Sequence, residues 1–267
     1  MTPTALHHTA HAWLAAGRAV IEVHVLAHEG SAPREAGTRM LVGADDVVGT
    51  IGGGHLEWVA IETARGLLAS GRDDAVERRY ALGPSLGQCC GGAVTLRCQR
   101  LSAERLAAWP RPAPRFHLQL YGAGHVGRAV VDLLRHQHCQ VQWIDERDAC
   151  FPAVPLPPHI EHVCVEPVEA EVATAPPGAC YLVMTHEHTL DERITAAILQ
   201  RGDFAFCGLI GSQTKRQRFL HRFERRGIAA DTLARLTCPI GLPGIAGKEP
   251  EVIAVSVVAQ LLAVSSS

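Results

Sequence analysis

The sequence predicts an α/β protein in which a mixed α+β domain precedes a domain built on a doubly wound parallel sheet. Three observations carry this. The stretch "AAWPRPAPR" at 107–115 divides the chain, because three prolines in five residues favour an extended linker over helix or strand. Before it, short apolar runs follow one another like strands around one helix. After it, strands and helices alternate at the spacing of βαβ units. The domains are therefore expected at 1–108 and 115–267.

In chain order, "MTPTALHHTAHAWLAAG" reads as a short helix capped by Thr4, with His7, His8 and His11 on an exposed face. "AVIEVHVLA", "TRMLV" and "DDVVGTIG" alternate or run apolar as strands do. Leu56, Ala60, Ala64, Leu67 and Leu68 recur at helical spacing, and Gly71 lies just past the end of that helix. "AVERRYAL" and "AVTLRCQ" are again strand-like and flank the loop "LGPSLGQCCGG" at 82–92.

Beyond the linker, "FHLQLYGAGHVGRAVVDLLRHQHCQVQWID" reads as strand, glycine turn, helix and strand, the size of one βαβ unit. "ACYLVMT" is a buried strand followed by a helix with Ile194, Ile198 and Leu199 inward. "FAFCGLIG" and the helix from Ser212 to about Arg226 repeat the arrangement. "EPEVIAVSVVAQLLAV" closes as a nearly all-apolar helix with Pro250 in its first turn, a face suited to a homodimer. The second domain is thus Rossmann-like.

Composition narrows the function. With 25 Lys and Arg against 27 Asp and Glu, a net charge of −2 gives no electrostatic case for nucleic acid or an anionic membrane. No apolar run approaches the roughly 20 residues that span a bilayer, and the first residues lack the pattern of a secretory signal. Nine cysteines is an odd number, so reduced thiols and a cytoplasmic location are expected. Cys98, Cys139, Cys150, Cys164, Cys180 and Cys207 lie in or beside apolar segments and read as buried small hydrophobes.

Several places can carry chemistry. Gly122, Gly124 and Gly127 form Gly-x-Gly-x-x-Gly after a strand and at the start of a helix, and Asp145 ends the next strand. This is the pattern of a dinucleotide site, with NAD(P) as its ligand and a ribose diol on the carboxylate. Serving only as the first turn of the fold is the ordinary alternative. His186, His188 and Asp191 follow a strand at the carboxyl edge, where imidazoles can move protons or take a metal. Ser212 opens a helix whose Lys and Arg residues read as a solvated face. Gly52, Gly53 and Gly54 begin a helix with Glu57 in its first turn, so free N–H groups there would suit an oxyanion, with Arg34 or Arg39 nearby. Close packing is the alternative for these glycines.

The adjacent thiols Cys89 and Cys90 fit no bland explanation. Neighbouring cysteines are held too close for ordinary disulfide geometry, and no second Cys or His pair completes a zinc site. A thiolate among free backbone N–H groups, beside oxyanion-friendly loops, suits a ligand with a soft end and a phosphate end.

Taken in order, "GSAPREAG", "GTIGGGHLE", "LGPSLGQCCGG", "YGAGHVG", "WIDERDACFP", "GLIGSQTKRQRF" and "CPIGLPGIAGKEP" resemble the xanthine dehydrogenase accessory protein (XdhC) family over essentially the whole chain. The resemblance implies a chaperone without turnover of its own. Such a protein binds the molybdenum cofactor (molybdopterin with its metal), holds it during sulfuration and inserts it into xanthine dehydrogenase, with a cysteine desulfurase as second partner. It puts the key thiol at Cys90, with Cys89 as second candidate; the residue reading adds Gln88, Gly91, Gly92, Gly52, Gly53, Gly54, Glu57 and Arg34 for the rest of the cofactor. His186, His188, Asp191 and Ser212 would wall the other side of a cleft between the halves. An NAD(P)-dependent oxidoreductase and a thiol-based sulfur carrier are the alternatives.

Overall fold

The computed structural model describes residues 2–82, 92–110 and 113–265, and the chain divides into two compact units, Met1–Pro112 and Ala113–Ser267.

The first unit opens with α1 (Pro3–Ala15). Its cap is Thr2 rather than Thr4: the Thr2 hydroxyl accepts from the Ala5 N–H at 3.1 Å. Pro3, whose ring presets a helical φ and which has no N–H to satisfy, takes the first helical position and moves the cap back. Strands β1 (Ile21–Glu29), β2 (Arg39–Val42) and β3 (Val47–Gly49) follow, then α2 (Gly54–Ser70), β4 (Val76–Ala81) and β5 (Ala93–Arg100). The sheet has the order β3-β2-β1-β5-β4 and is antiparallel throughout.

Strand alternation sorts its side chains into two layers. Met40 and Val42 pack with Leu56, Ala60, Ala64 and Leu67 of α2, while Leu41 between them packs with Leu6 and Ala10 of α1. Buried Glu22 accepts from Arg39 Nε at 2.7 Å and Gln99 Nε2 at 2.9 Å, so its charge is matched. A short helix, α3 (Ala103–Ala107), runs up to the expected linker. Ser102 caps it by accepting from the Arg105 N–H, a start signal that the prolines beyond it obscure.

The second unit contains β6 (His117–Tyr121), α4 (His125–Leu134), β7 (Gln140–Asp145), β8 (Ile160–Cys164), β9 (Cys180–Val183), α5 (His188–Arg201), β10 (Phe206–Leu209), α6 (Gln213–Arg225), α7 (Ala230–Ala234), β11 (Leu236–Thr237) and α8 (Pro250–Val264). All strands are parallel, in the order β8-β7-β6-β9-β10-β11. The order reverses between β6 and β9, the switch point at which doubly wound sheets open a crevice. Tyr121 and Val183 pack on the face of α5 and α6, and Leu118 and Leu120 on the face of α4 and α8. Among the described residues no helix is long and apolar enough to cross a membrane.

Candidate functional site

In the first unit the turn after β1 draws three distant motifs together. A Cβ on Gly52 would fall 2.2 Å from the Cβ of Pro33, so "GTIGGGHLE" is seated on "GSAPREAG". A Cβ on Gly92 would fall 2.3 Å from the Glu29 carbonyl oxygen and 2.5 Å from that of Ser31, so the end of the cysteine loop is seated on the same turn. Leu82 N–H donates to the Gly92 carbonyl at 2.7 Å, one rung beyond the pairing of Ala81 with Ala93. The segment carrying Gln88, Cys89, Cys90 and Gly91 therefore leaves and rejoins one ladder; those four residues lie outside the described ones.

The glycine turn differs from the free-donor cradle expected. Glu57 reaches back so that its Oε2 accepts from the N–H groups of Ile51 at 3.0 Å and Gly53 at 3.1 Å, and from the Thr50 hydroxyl. The Gly52 N–H goes to Thr50 Oγ1 at 3.0 Å. A carboxylate on this helix is placed to satisfy the turn's donors before any ligand arrives. Packing explains Gly52 but not Gly53, whose φ is +78° and around whose Cβ position there is nothing within 4 Å. Arg34 is exposed, with no ion pair among the described residues. Arg39 is committed to Glu22, over the Trp109 ring.

In the second unit the expected residues gather at the carboxyl ends of the strands, each in a different role. A Cβ on Gly122 would meet the Met184 carbonyl at 2.3 Å, and one on Gly127 would meet the Gly122 carbonyl at 2.1 Å. These two glycines permit the turn and the helix-on-strand contact. Gly124 has nothing within 4 Å, leaving its side of the turn open for a ligand to approach.

Asp145 is almost fully buried. Its Oδ2 accepts from the Ala123 N–H at 2.8 Å and Arg147 Nη2 at 3.0 Å; its Oδ1 accepts from the Arg147 N–H at 3.0 Å and Nε at 2.9 Å. Burial alone would raise its pKa, but the Arg147 guanidinium and the two backbone donors outweigh it and hold the carboxyl below its ordinary value. The carboxylate expected to hold a ribose diol is thus already saturated.

Asp191 is buried as well. Its Oδ1 accepts from the Thr185 N–H at 2.9 Å and hydroxyl at 2.7 Å, and its Oδ2 accepts from Lys215 Nζ at 2.5 Å. Lys215 also donates to the Ile210 carbonyl at 2.9 Å, and its own N–H bonds Ser212 Oγ, the cap of α6, at 3.2 Å. Asp191 and Ser212 are therefore brought together through Lys215. The basic residues of α6 do not all form a solvated face, since Arg222, together with Arg226 just past the helix end, pairs with buried Glu192. His186 stands apart, 3.9 Å from Glu146 just after β7, and His188 is exposed in the first turn of α5. Among the described residues no group of three or more His, Cys, Asp or Glu is placed to hold a metal ion.

Thr185, Arg147 and Lys215 are the residues that sequence reasoning passed over. Only Lys215 carried a signal, three residues after the helix-capping Ser212. Of the cysteines expected inside, Cys98, Cys139, Cys180 and Cys207 are buried, whereas Cys150 is partly buried and Cys164 is exposed on the edge strand β8. Cys238 is also buried, against the Ser212 carbonyl.

Two family models match the chain, the XdhC Rossmann domain over residues 118–261 and the XdhC and CoxI family over residues 13–80. The uncharacterized protein YqeB of Escherichia coli (strain K12) is 30% identical over 242 residues, covering 89% of this chain and 42% of that protein. The chain therefore spans less than half the length of that curated relative. A protein from Bacillus halodurans, whose crystal structure bears the name xanthine dehydrogenase, superposes with a TM-score of 0.77 over 97% of this chain and 95% of that one. At 19% identity that likeness shows the fold.

Proposed function

Starting from a chain that belongs to the XdhC family, we propose that it is an accessory protein that holds the molybdenum cofactor during sulfuration and hands it to a xanthine dehydrogenase. The observation that carries this reading is the meeting of three motifs on one turn: Gly52 on Pro33, and Gly92 on Glu29 and Ser31. That contact ties the root of the thiol loop to the turn that bears Arg34 and to the glycine turn at the start of α2.

The residues suit a ligand that is soft at one end and anionic at the other. Cys90, with Cys89 beside it, is the group to take the metal end, because a thiolate is a soft ligand. The open side of Gly53 and the exposed Arg34 suit the anionic end, while Glu57 holds the turn in shape. When bound, the cofactor supplies the metal at which a sulfido ligand is installed. The protein supplies thiol, turn and cation, and no turnover of its own. A cysteine desulfurase and the dehydrogenase apoprotein are the partners this role requires.

Purification of the full chain from a cofactor-producing host, followed by molybdenum and pterin analysis, tests the proposal. Molybdenum and pterin should co-purify, fall sharply with Cys90→Ala and less with Cys89→Ala, while far-UV circular dichroism stays unchanged. Full retention by the double variant removes the thiols from the site. If wild-type protein neither carries nor takes up the cofactor, the whole reading fails. Persulfide sulfur on either cysteine after incubation with a desulfurase, without retained pterin, would make it a sulfur carrier instead.

A further inference from the structure

The crevice of the second unit has one feature that the dinucleotide pattern alone does not explain. At the end of β7 the position that would receive a ribose diol is taken by a guanidinium. Arg147 engages both oxygens of Asp145 through Nε and Nη2, at 2.9 and 3.0 Å. It stays on the surface, its side chain 37% exposed against 4% for Asp145. Nη1 has no partner among the described residues and belongs to a guanidinium already fixed in place by Asp145.

A second guanidinium bonds the glycine turn itself. Arg128, in the first turn of α4, donates through Nε to the Ala123 carbonyl at 3.3 Å and through Nη2 to the Cys150 carbonyl at 2.6 Å. Both its partners are carbonyls, so no carboxylate cancels its charge. Ala123 is thus held by Asp145 on its N–H and by Arg128 on its carbonyl oxygen, the two peptide units that flank its Cα, next to the open side of Gly124.

We propose that this crevice binds an adenine dinucleotide carrying a 2′-phosphate, in preference to one with a free ribose diol, and that Arg147 makes the choice. A free diol needs a carboxylate with lone pairs to spare, and Asp145 has committed both oxygens. A 2′-phosphate needs donors in a fixed plane, which Arg147 presents. Asp145 acts as a positioning residue: it holds the fork and, through the Ala123 N–H, ties it to the glycine turn. This site lies within the second unit and does not depend on the cofactor reading of the first.

Calorimetric titration of the full chain with NADP⁺, NAD⁺, 2′,5′-ADP, 5′-AMP and inorganic phosphate decides it. NADP⁺ should bind at least tenfold tighter than NAD⁺, and 2′,5′-ADP at least tenfold tighter than 5′-AMP or phosphate. Arg147→Ala frees the Asp145 oxygens that the guanidinium held and should erase both preferences while NAD⁺ binding is kept or tightened, with circular dichroism checking that the variant stays folded. Arg147→Lys should retain part of the preference, since it keeps the charge and loses the fork. Equal affinity for the two dinucleotides, preference for NAD⁺, phosphate binding as tight as 2′,5′-ADP, or no binding of either dinucleotide at millimolar concentration each overturns the proposal. Molybdenum and pterin retention should be unchanged in Arg147→Ala, so loss of one reading leaves the other standing.

Discussion

Replacing Gly92 by alanine tests whether the root of the thiol loop is seated as tightly as the contacts imply. The added methyl would start 2.3 Å from the Glu29 oxygen and 2.5 Å from the Ser31 oxygen. Ordinary carbon–oxygen contact is roughly 3.4 Å, so the gap is short by about 1 Å, and neither obstacle can swing aside because both are backbone atoms. Overpacking of this kind costs about 1–3 kcal/mol. The entropy that alanine removes from the unfolded chain returns about 0.4–1 kcal/mol of that. At mid-range the net loss is about 1.3 kcal/mol; at about 4–8 °C per kcal/mol for a domain of this size, the first unit should melt roughly 5–10 °C lower in scanning calorimetry of the full chain. Gly53→Val is the companion, since nothing lies within 4 Å of that Cβ although its φ is +78°. With ψ at −170° this is a region open essentially to glycine alone, so the change should lower stability by about 1–3 kcal/mol through backbone strain. Its larger effect, at least tenfold, should fall on cofactor retention. A Gly92→Ala protein melting within about 2 °C of wild type would refute the seating. Normal retention by folded Gly53→Val would leave the glycine turn no role beyond shape.

Lys215→Met leaves Asp191 buried without its cation, so urea unfolding should show a loss of about 3–5 kcal/mol; a loss below about 1 kcal/mol would mean that the Thr185 bonds suffice. Burial pushes the Cys98 and Cys180 thiols up to about 11 and those of Cys139 and Cys207 up to about 12. At pH 8 a thiol with a pKa of 11 is only about 0.1% thiolate, so iodoacetamide labelling of native protein, mapped by mass spectrometry, should spare these four and reach Cys164. The sign follows for stability. A raised folded pKa means that the neutral thiols stabilise fully below the unfolded value of about 8.5, and that this is lost as pH climbs through 11 to 12. Rapid labelling of Cys207 at pH 8 would contradict its burial.

Much of this architecture was legible because it rests on periodicity and glycine. Leu56, Ala60, Ala64 and Leu67 announce α2, and the run from β6 through Gly122 to Asp145 announces the first βαβ unit. The strands β8 and β11 were not legible: the first is an exposed edge following a proline cluster, and the second has only two residues, Leu236–Thr237. Site residues were legible by type but not by partner. Asp145, Asp191 and Glu57 were read as reaching outward, and each turned out to be held within the protein: Asp145 by Arg147 and the Ala123 N–H, Asp191 by Thr185 and Lys215, and Glu57 by Thr50 and the N–H groups of its own turn. One-dimensional spacing cannot say whether a carboxylate's lone pairs are already taken, and that decides which of these residues meets a ligand.

The bond from Leu82 to Gly92 has a bearing on how such a protein can change. It pins both ends of the thiol-bearing segment to one rung, so the sheet itself holds those ends together. Closure entropy then grows only with the logarithm of length, about 0.6 kcal/mol for each doubling. The stretch between residues 82 and 92 is therefore a cassette: its length and its thiols can be varied, by selection or by hand, at a cost to the scaffold smaller than that of one misplaced methyl group at its root.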